Sequence, residues 1–316
     1  MKVAISQIDG KLPNLALMRI AAWHKAQGDE VEWHTPIVPY DRVYASKIFT
    51  FTPDDPYLPA DAIRGGTGYD IASRLPPEIE ACAPDYTMYP DFREAIGFLT
   101  RGCPNKCPWC VVPRKEGSIK IVSDIETVAQ GRKRAILFDN NFLAAPLEFV
   151  REQAEKMRRI GVRVDFNQAT DARLYNEDTA RIMAEVPWIR HPRLSCDTDA
   201  MVPHVLRAVS LLRRFGWRGE VFVYILAYNS GVDSALDRLS RLSSADAGIV
   251  PFVMPFRDIN GDSDQPSRRL RRLARWCNRQ WIRKACSFDE YCRTNALEKQ
   301  ANNSNLPSPR NYPTRN

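Results

Sequence analysis

The sequence predicts an α/β protein. A small α/β unit comes first, then six strand–helix units forming an open partial barrel, then a basic helical extension. Three observations lead there. Short apolar runs alternate with stretches of helical periodicity from residue 95 to 256. An earlier apolar run, KVAISQI (2–8), is followed by a helical stretch that ends at Gly28. Past residue 260 the text changes character and fills with arginine.

KVAISQI is bounded by Asp9-Gly10 and predicts a strand. LALMRIAAWHKAQG (15–28) has helical spacing. EVEWHTP predicts a second strand and RVYASKIFTFT a third, with the loop 65-GGTGYD-70 after it. Strand, helix, strand with a glycine stop is βαβ grammar. LPPEIEACAPDYTMYPD (75–91) is proline-rich and reads as a connection. AIGFLTRG (95–102) predicts a strand running straight into a cysteine cluster. The later strands are AILFD (135–139), VRVDFNQ (162–168), PRLSCD (192–197), VFVYILA (221–227) and GIVPFVMPF (248–256). Helices are predicted over 146–161, 176–186, 199–215 and 233–243. Such alternation calls for parallel strands with right-handed crossovers. Six units leave the barrel short of the closed eight-stranded form. The corresponding units are 1–90, 91–260, 261–295 and a polar tail, 296–316, where disorder is expected.

Composition narrows the class. Hydrophobic content is 44% and charged content 26%, ordinary for a globular protein of 316 residues. No run of eighteen apolar residues occurs, so no spanning helix is expected. MKVAISQIDG lacks the long apolar core of a signal peptide. Eight cysteines are too few for a disulfide scaffold in a chain of this length. Their clustering argues for metal ligation in a reducing cytoplasm. The net charge is +7, and residues 268–293 carry nine Lys/Arg against Asp289 and Glu290. That segment is either a solvated helix face or a contact for phosphate or another polyanion, which hints at an anionic substrate.

The cluster is 101-RGCPNKCPWCVVPRKEG-117, with cysteines at 103, 107 and 110. Thiolates are soft donors that select zinc, copper(I) or iron–sulfur clusters. Structural zinc wants four ligands, and Cys82 is twenty-one residues upstream with no His between 35 and 190. A 4Fe-4S cluster resolves the count differently, since three thiolates leave one iron open to an exogenous ligand. Unliganded thiols and a zinc-stabilised nucleic-acid-binding module without turnover are the other readings. Cys277, Cys286 and Cys292 fit an auxiliary cluster or thiols on a helix pair packed by Trp276, Trp281, Phe288 and Tyr291.

The spacing Cys-x3-Cys-x2-Cys, with Trp109 before the last cysteine, resembles the motif of the radical SAM superfamily. The resemblance implies a TIM-like partial (β/α)6 barrel in which Cys103, Cys107 and Cys110 hold a 4Fe-4S cluster. It also implies that the open iron binds S-adenosyl-L-methionine and that a donor of flavodoxin or ferredoxin type supplies an electron. Reductive cleavage would then give a 5′-deoxyadenosyl radical that abstracts hydrogen from substrate. By position, SAM contacts would come from Trp109, from Asp139, Asn140 and Asn141, from Asn167 and Gln168, and from Ser195. Asp171 is a further candidate, and Arg257 and Asp258 end the sixth strand. Asx turns and helix N-caps are the structural readings of these same positions. Cys196 alternates to the core side. His24, His34, His191 and His204 are too scattered to suggest an acid–base pair.

A small α/β unit before such a barrel resembles the cobalamin-binding members, whose domain is flavodoxin-like and carries Asp-x-His-x-x-Gly. Asp9 is present here, but Lys11 replaces the His and Asn14 the Gly. Cobalamin, and with it methyl transfer, is therefore an expectation that the motif supports only in part.

Overall fold

The computed structural model describes residues 1–259 and 265–294. The predicted disordered tail lies outside the described residues. The architecture is mixed α/β, built on parallel strands in two groups.

The first group is a four-stranded parallel sheet ordered β2-β1-β3-β4. Its strands are β1 (Lys2–Gln7), β2 (Glu30–Trp33), β3 (Arg42–Ser46) and β4 (Ile63–Gly65). Helix α1 (Leu15–Ala26) joins β1 to β2, with Asn14 as N-cap. Val3, Ile5 and Tyr44 meet α1 on one face, while Ala4, Val43 and Ala45 meet Leu58 and Ala62 on the other. A parallel sheet covered on both faces reads as short unbroken apolar runs, as these do. The third predicted strand is shorter than expected. It stops at Ser46, because Lys47 turns inward to Asp54 and the ring of Tyr69. β4 had no strand-like text of its own. The proline-rich stretch is more than a connection: α2 (Pro77–Glu80) and the turn at Tyr86–Met88 pack Ile79 and Met88 into the core around α1.

The second group holds β5 (Ala95–Gly97), β8 (Arg134–Leu137) and β9 (Arg163–Phe166) in one parallel sheet, and β10 (Arg193–Ser195), β11 (Val221–Ala227) and β12 (Ile249–Pro255) in another. Parallel bridges Val164–Trp188 and Thr170–Leu194 join the two, so six strands follow one another in chain order. The intervening helices are α4 (Ile125–Ala129), α5 (Leu147–Ile160), α6 (Glu177–Glu185), α7 (Val202–Arg214) and α8 (Val232–Ala245). Their amphipathic faces build one continuous core with the strands, from Ala95 to Phe288. α5 ends where Gly161 adopts a left-handed conformation at φ 67°, and α6 begins in a capping box between Asn176 and Thr179.

The run 95–102 is two strands and not one. β5 ends at Gly97, and the separate β6 (Thr100–Arg101) pairs antiparallel with β7 (Lys120–Ile121). The short helix α3 (Val112–Lys115) lies between β6 and β7. At the far end, α9 (Arg268–Asn278) packs on β12 and α10 (Gln280–Ala285) on α9. Trp276 and Phe288 are buried there as packing residues, but Trp281 is 68% exposed.

Candidate functional site

The cysteine loop is built from its neck upward. The β6–β7 pair closes its base, and the Cys103 N–H donates to Gly117 O at 3.0 Å. Gly102 adopts φ +87°, and a Cβ there would meet Ser118 O at 2.1 Å, so only glycine fits. The Gly102 N–H donates to Asn140 Oδ1 at 2.8 Å. Asp139 is fully buried and takes Leu99 N–H at 3.1 Å, Thr100 N–H at 2.7 Å and Thr100 Oγ–H at 2.7 Å. Both residues thus brace the strand that carries the cysteines. Both Asp139 oxygens are engaged by these backbone and hydroxyl donors. Burial pushes its carboxyl up to about 6 against these three donors.

Cys103, Cys107 and Cys110 are free, half-buried thiols within this loop. The Cys110 N–H donates to Cys107 O at 3.0 Å, which folds the two against each other. Burial raises the Cys107 thiol, with Arg173 opposing, and burial likewise raises that of Cys110. Among the described residues, no three His, Cys, Asp or Glu side chains converge into a closed ligand set.

Side chains from three strand ends gather round the thiols. From the segment after β8, Asn141 is 2% exposed and its Nδ2 donates to Cys103 Sγ at 3.4 Å. Its Oδ1 is buried with no partner. From the segment after β9, Asp171 accepts from Asn105 Nδ2 at 2.9 Å and pairs with Arg173 at 2.8 Å. Burial works to raise the Asp171 carboxyl, but the Arg173 guanidinium and backbone hold it below the usual range. From the segment after β10, burial raises the Asp197 carboxyl, with the nearby Trp109 side chain opposing.

Asn167 and Ser195 sit half-buried at the same ends, with no hydrogen-bond partner for either side chain among the described residues, and Gln168 is exposed. Ala169, next to it, holds a left-handed φ of 72°. Such strain in a non-glycine residue persists only where the surroundings enforce it. Cys196 is fully buried, on the core side as its alternation indicates. Asp197, Arg173 and the buried Arg238, whose Nη2 donates to Leu226 O at 2.8 Å, were not singled out in the sequence. Asp197 had a signal: the alternation that sends Cys196 inward puts Asp197 on the side of Ser195. Arg173 and Arg238 had none, because surface arginines share their helical text.

The remaining candidates are spent elsewhere. Arg257 lies 4.1 Å over the Phe51 ring and donates to Gln265 Oε1 at 3.2 Å. Cys277 is fully buried against Pro251 O at 3.6 Å, and burial pushes its thiol up to about 12, while Cys286 donates to Ile282 O at 3.7 Å. Both act as packing thiols. Asp9 accepts from Ile48 N, Phe49 N and Thr52 Oγ1, fixing a loop. Asn14 caps α1, and Lys11 is exposed. Gly66 and Gly68 lie against the backbone of Lys47 and Phe49, where a Cβ would sit 2.4 and 2.8 Å from a carbonyl oxygen. These residues offer cobalt no lower ligand, so they do not fit a bound cobalamin held in that way.

No helix among the described residues is long and apolar enough to cross a membrane. No protein-family model matches the chain, and a search among characterised proteins found no match to it.

Proposed function

We propose that the chain is a radical SAM enzyme. The carrying observation is a closed loop at the C-terminal ends of parallel strands that presents three thiols beside a buried, unpartnered amide oxygen, Asn141 Oδ1. A soft donor set of three with an orphaned acceptor next to it fits a cluster with one open iron and a chelating ligand that brings its own donors. Cys103, Cys107 and Cys110 would hold the cluster, drawn together on loading. When bound, it would supply the electron that splits S-adenosyl-L-methionine and so provides a hydrogen-abstracting agent.

The chain's own groups do the rest. Asn141 accepts from the amino group of the bound sulfonium amino acid and donates to Cys103 Sγ. Asp171 holds the Arg173 guanidinium in place near Cys107, where it favours the thiolate that a cluster needs. Asp197, close to the Trp109 side chain, adds a polar group to the wall beside the thiols. Asn167 and Ser195, with unspent polar atoms, take ribose or carboxylate contacts.

In this reading the six parallel strands form an open partial barrel of TIM-like type, whose site is at the strand C-terminal ends. The first sheet, ordered β2-β1-β3-β4, is flavodoxin-like in strand order, although its β2–β3 and β3–β4 crossovers carry no helix. The enzyme works in the cytoplasm with a low-potential electron donor. Anaerobic reconstitution with iron and sulfide, followed by dithionite and S-adenosyl-L-methionine, tests the proposal. A brown protein that forms 5′-deoxyadenosine, and a Cys107→Ala variant that loses iron, are expected. A colourless protein retaining one zinc would refute it.

A further inference from the structure

We infer that the face of α9, with Trp281 beside its end, binds single-stranded nucleic acid, the phosphates lying along a stripe of arginines and a base stacking on the indole. Residues 265–288 contain eight Lys/Arg and no Asp or Glu. Within α9 the residues divide by angle. At 3.6 residues per turn, Arg268, Arg272 and Arg275 fall within about 60° of one another. Leu270, Leu273 and Cys277, all buried, take the opposite side and face β12. The stripe spans about 10 Å along the axis. Arg279 continues the chain past it, and the exposed Trp281 follows two residues later with Lys284 beyond.

Among the described residues, most of these charges have no carboxylate partner. Some exposed arginines elsewhere find carboxylates, as Arg159 does Glu126, Arg214 Glu177 and Arg241 Asp237, and on α9 itself Arg269 has Asp233, while others such as Arg151 and Arg207 have none among the described residues. Arg268, Arg272, Arg275, Arg279 and Lys284 have no ion-pair partner among the described residues. Of the two acidic residues past α10, Glu290 is occupied by the N–H and hydroxyl of Ser287, and the exposed Asp289 acts on Arg269. Like charges four apart on a helix oppose folding, and Arg268 in the first turn opposes the helix dipole as well. A polyanion removes both penalties at once. The exposed tryptophan selects among polyanions, because stacking on a base needs one that is unpaired.

The stripe starts at the same side of the molecule as the cysteine loop. Ser267 N–H donates to Asn229 Oδ1 at 2.7 Å, and Asn229 follows the C-terminal end of β11. The inference needs no cluster, and its test is read without one.

The full chain is titrated with a fluorescein-labelled single-stranded oligonucleotide, as RNA and as DNA, at several salt concentrations. Four phosphate contacts predict that affinity falls about 50-fold between about 50 and 200 mM salt. Replacing two arginines, in Arg272→Gln/Arg275→Gln, should reduce that to about 7-fold. Trp281→Ala should weaken binding about tenfold and abolish quenching of tryptophan emission. Cys107→Ala should bind like the parent, which separates this inference from the proposed chemistry. Either oligonucleotide satisfies it. Absence of binding, or equal binding of duplex DNA, heparin and anionic vesicles with Trp281→Ala unchanged, would overturn it.

Discussion

Replacing Gly102 by alanine should open the cysteine loop while leaving the rest of the protein folded. Two costs add. A residue with a Cβ at φ +87° costs about 1–2 kcal/mol. The new Cβ would also sit 2.1 Å from Ser118 O and 2.8 Å from Gly117 O, so the neck must part. Parting it breaks the bonds from Gly102 N–H to Asn140 Oδ1 and from Cys103 N–H to Gly117 O, at about 1 kcal/mol each. Local closure therefore loses about 3–4 kcal/mol, enough to leave the neck open most of the time. Gly117→Ala is the control. It also has a positive φ, 75°, but no atom stands within 4 Å of its Cβ, so it should cost only the backbone strain. Hydrogen exchange followed by mass spectrometry reads the result. Residues 100–121 should lose protection in Gly102→Ala, with β11 and β12 unchanged, and the iron bound on reconstitution should fall. Unchanged exchange at Cys103, or an equal effect from Gly117→Ala, would refute the reasoning.

Three further predictions follow from the same geometry. Asp139 has a folded-state pKa of about 6 against an ordinary 3.8, so its contribution to stability is present below pH 3.8 and is lost as pH rises through 6. Relative to Asp139→Asn, the parent should lose about 3 kcal/mol across that window in urea titrations; a difference that does not vary with pH contradicts this. Arg193 makes two 2.6 Å bonds to Asp165 across the β9–β10 seam, with both side chains largely buried. Arg193→Met should cost about 3–5 kcal/mol by stranding the carboxylate, and adding Asp165→Leu should recover part of it, as thermal melting would reveal. Asp197→Leu should leave iron content near the parent's but change the surroundings of the Trp109 ring, read as a changed near-ultraviolet circular dichroism; an identical spectrum would remove Asp197 from the site.

Periodicity made much of this legible. β11 is bounded as its alternating text predicts, and the buried faces of α5 to α8 follow their spacing. The cysteine loop could be found because three thiols in eight residues have few structural uses. What the text could not give is which polar side chains are consumed by the chain itself. Asp139 and Asn141 are two residues apart and chemically alike. One is saturated by Leu99 and Thr100, which are forty residues away in sequence, and the other keeps an open oxygen. That difference is a property of long-range packing. β6 escaped for a similar reason: a two-residue strand has no period, and its partner β7 lies beyond the loop it closes.

The outer side of the cysteine loop is stitched to the first unit. Arg74 donates to Lys115 O, Lys115 Nζ reaches Ile71 O at 3.4 Å, and Arg101 holds both Glu80, at 2.7 Å, and Glu116, at 3.2 Å. Glu80 is tied in turn to Arg19 on α1. Residues 71–80 thus link α1 of the first unit to the loop that carries the thiols. A displacement of residues 70–80 would therefore be passed directly to the chain segment that carries all three sulfurs.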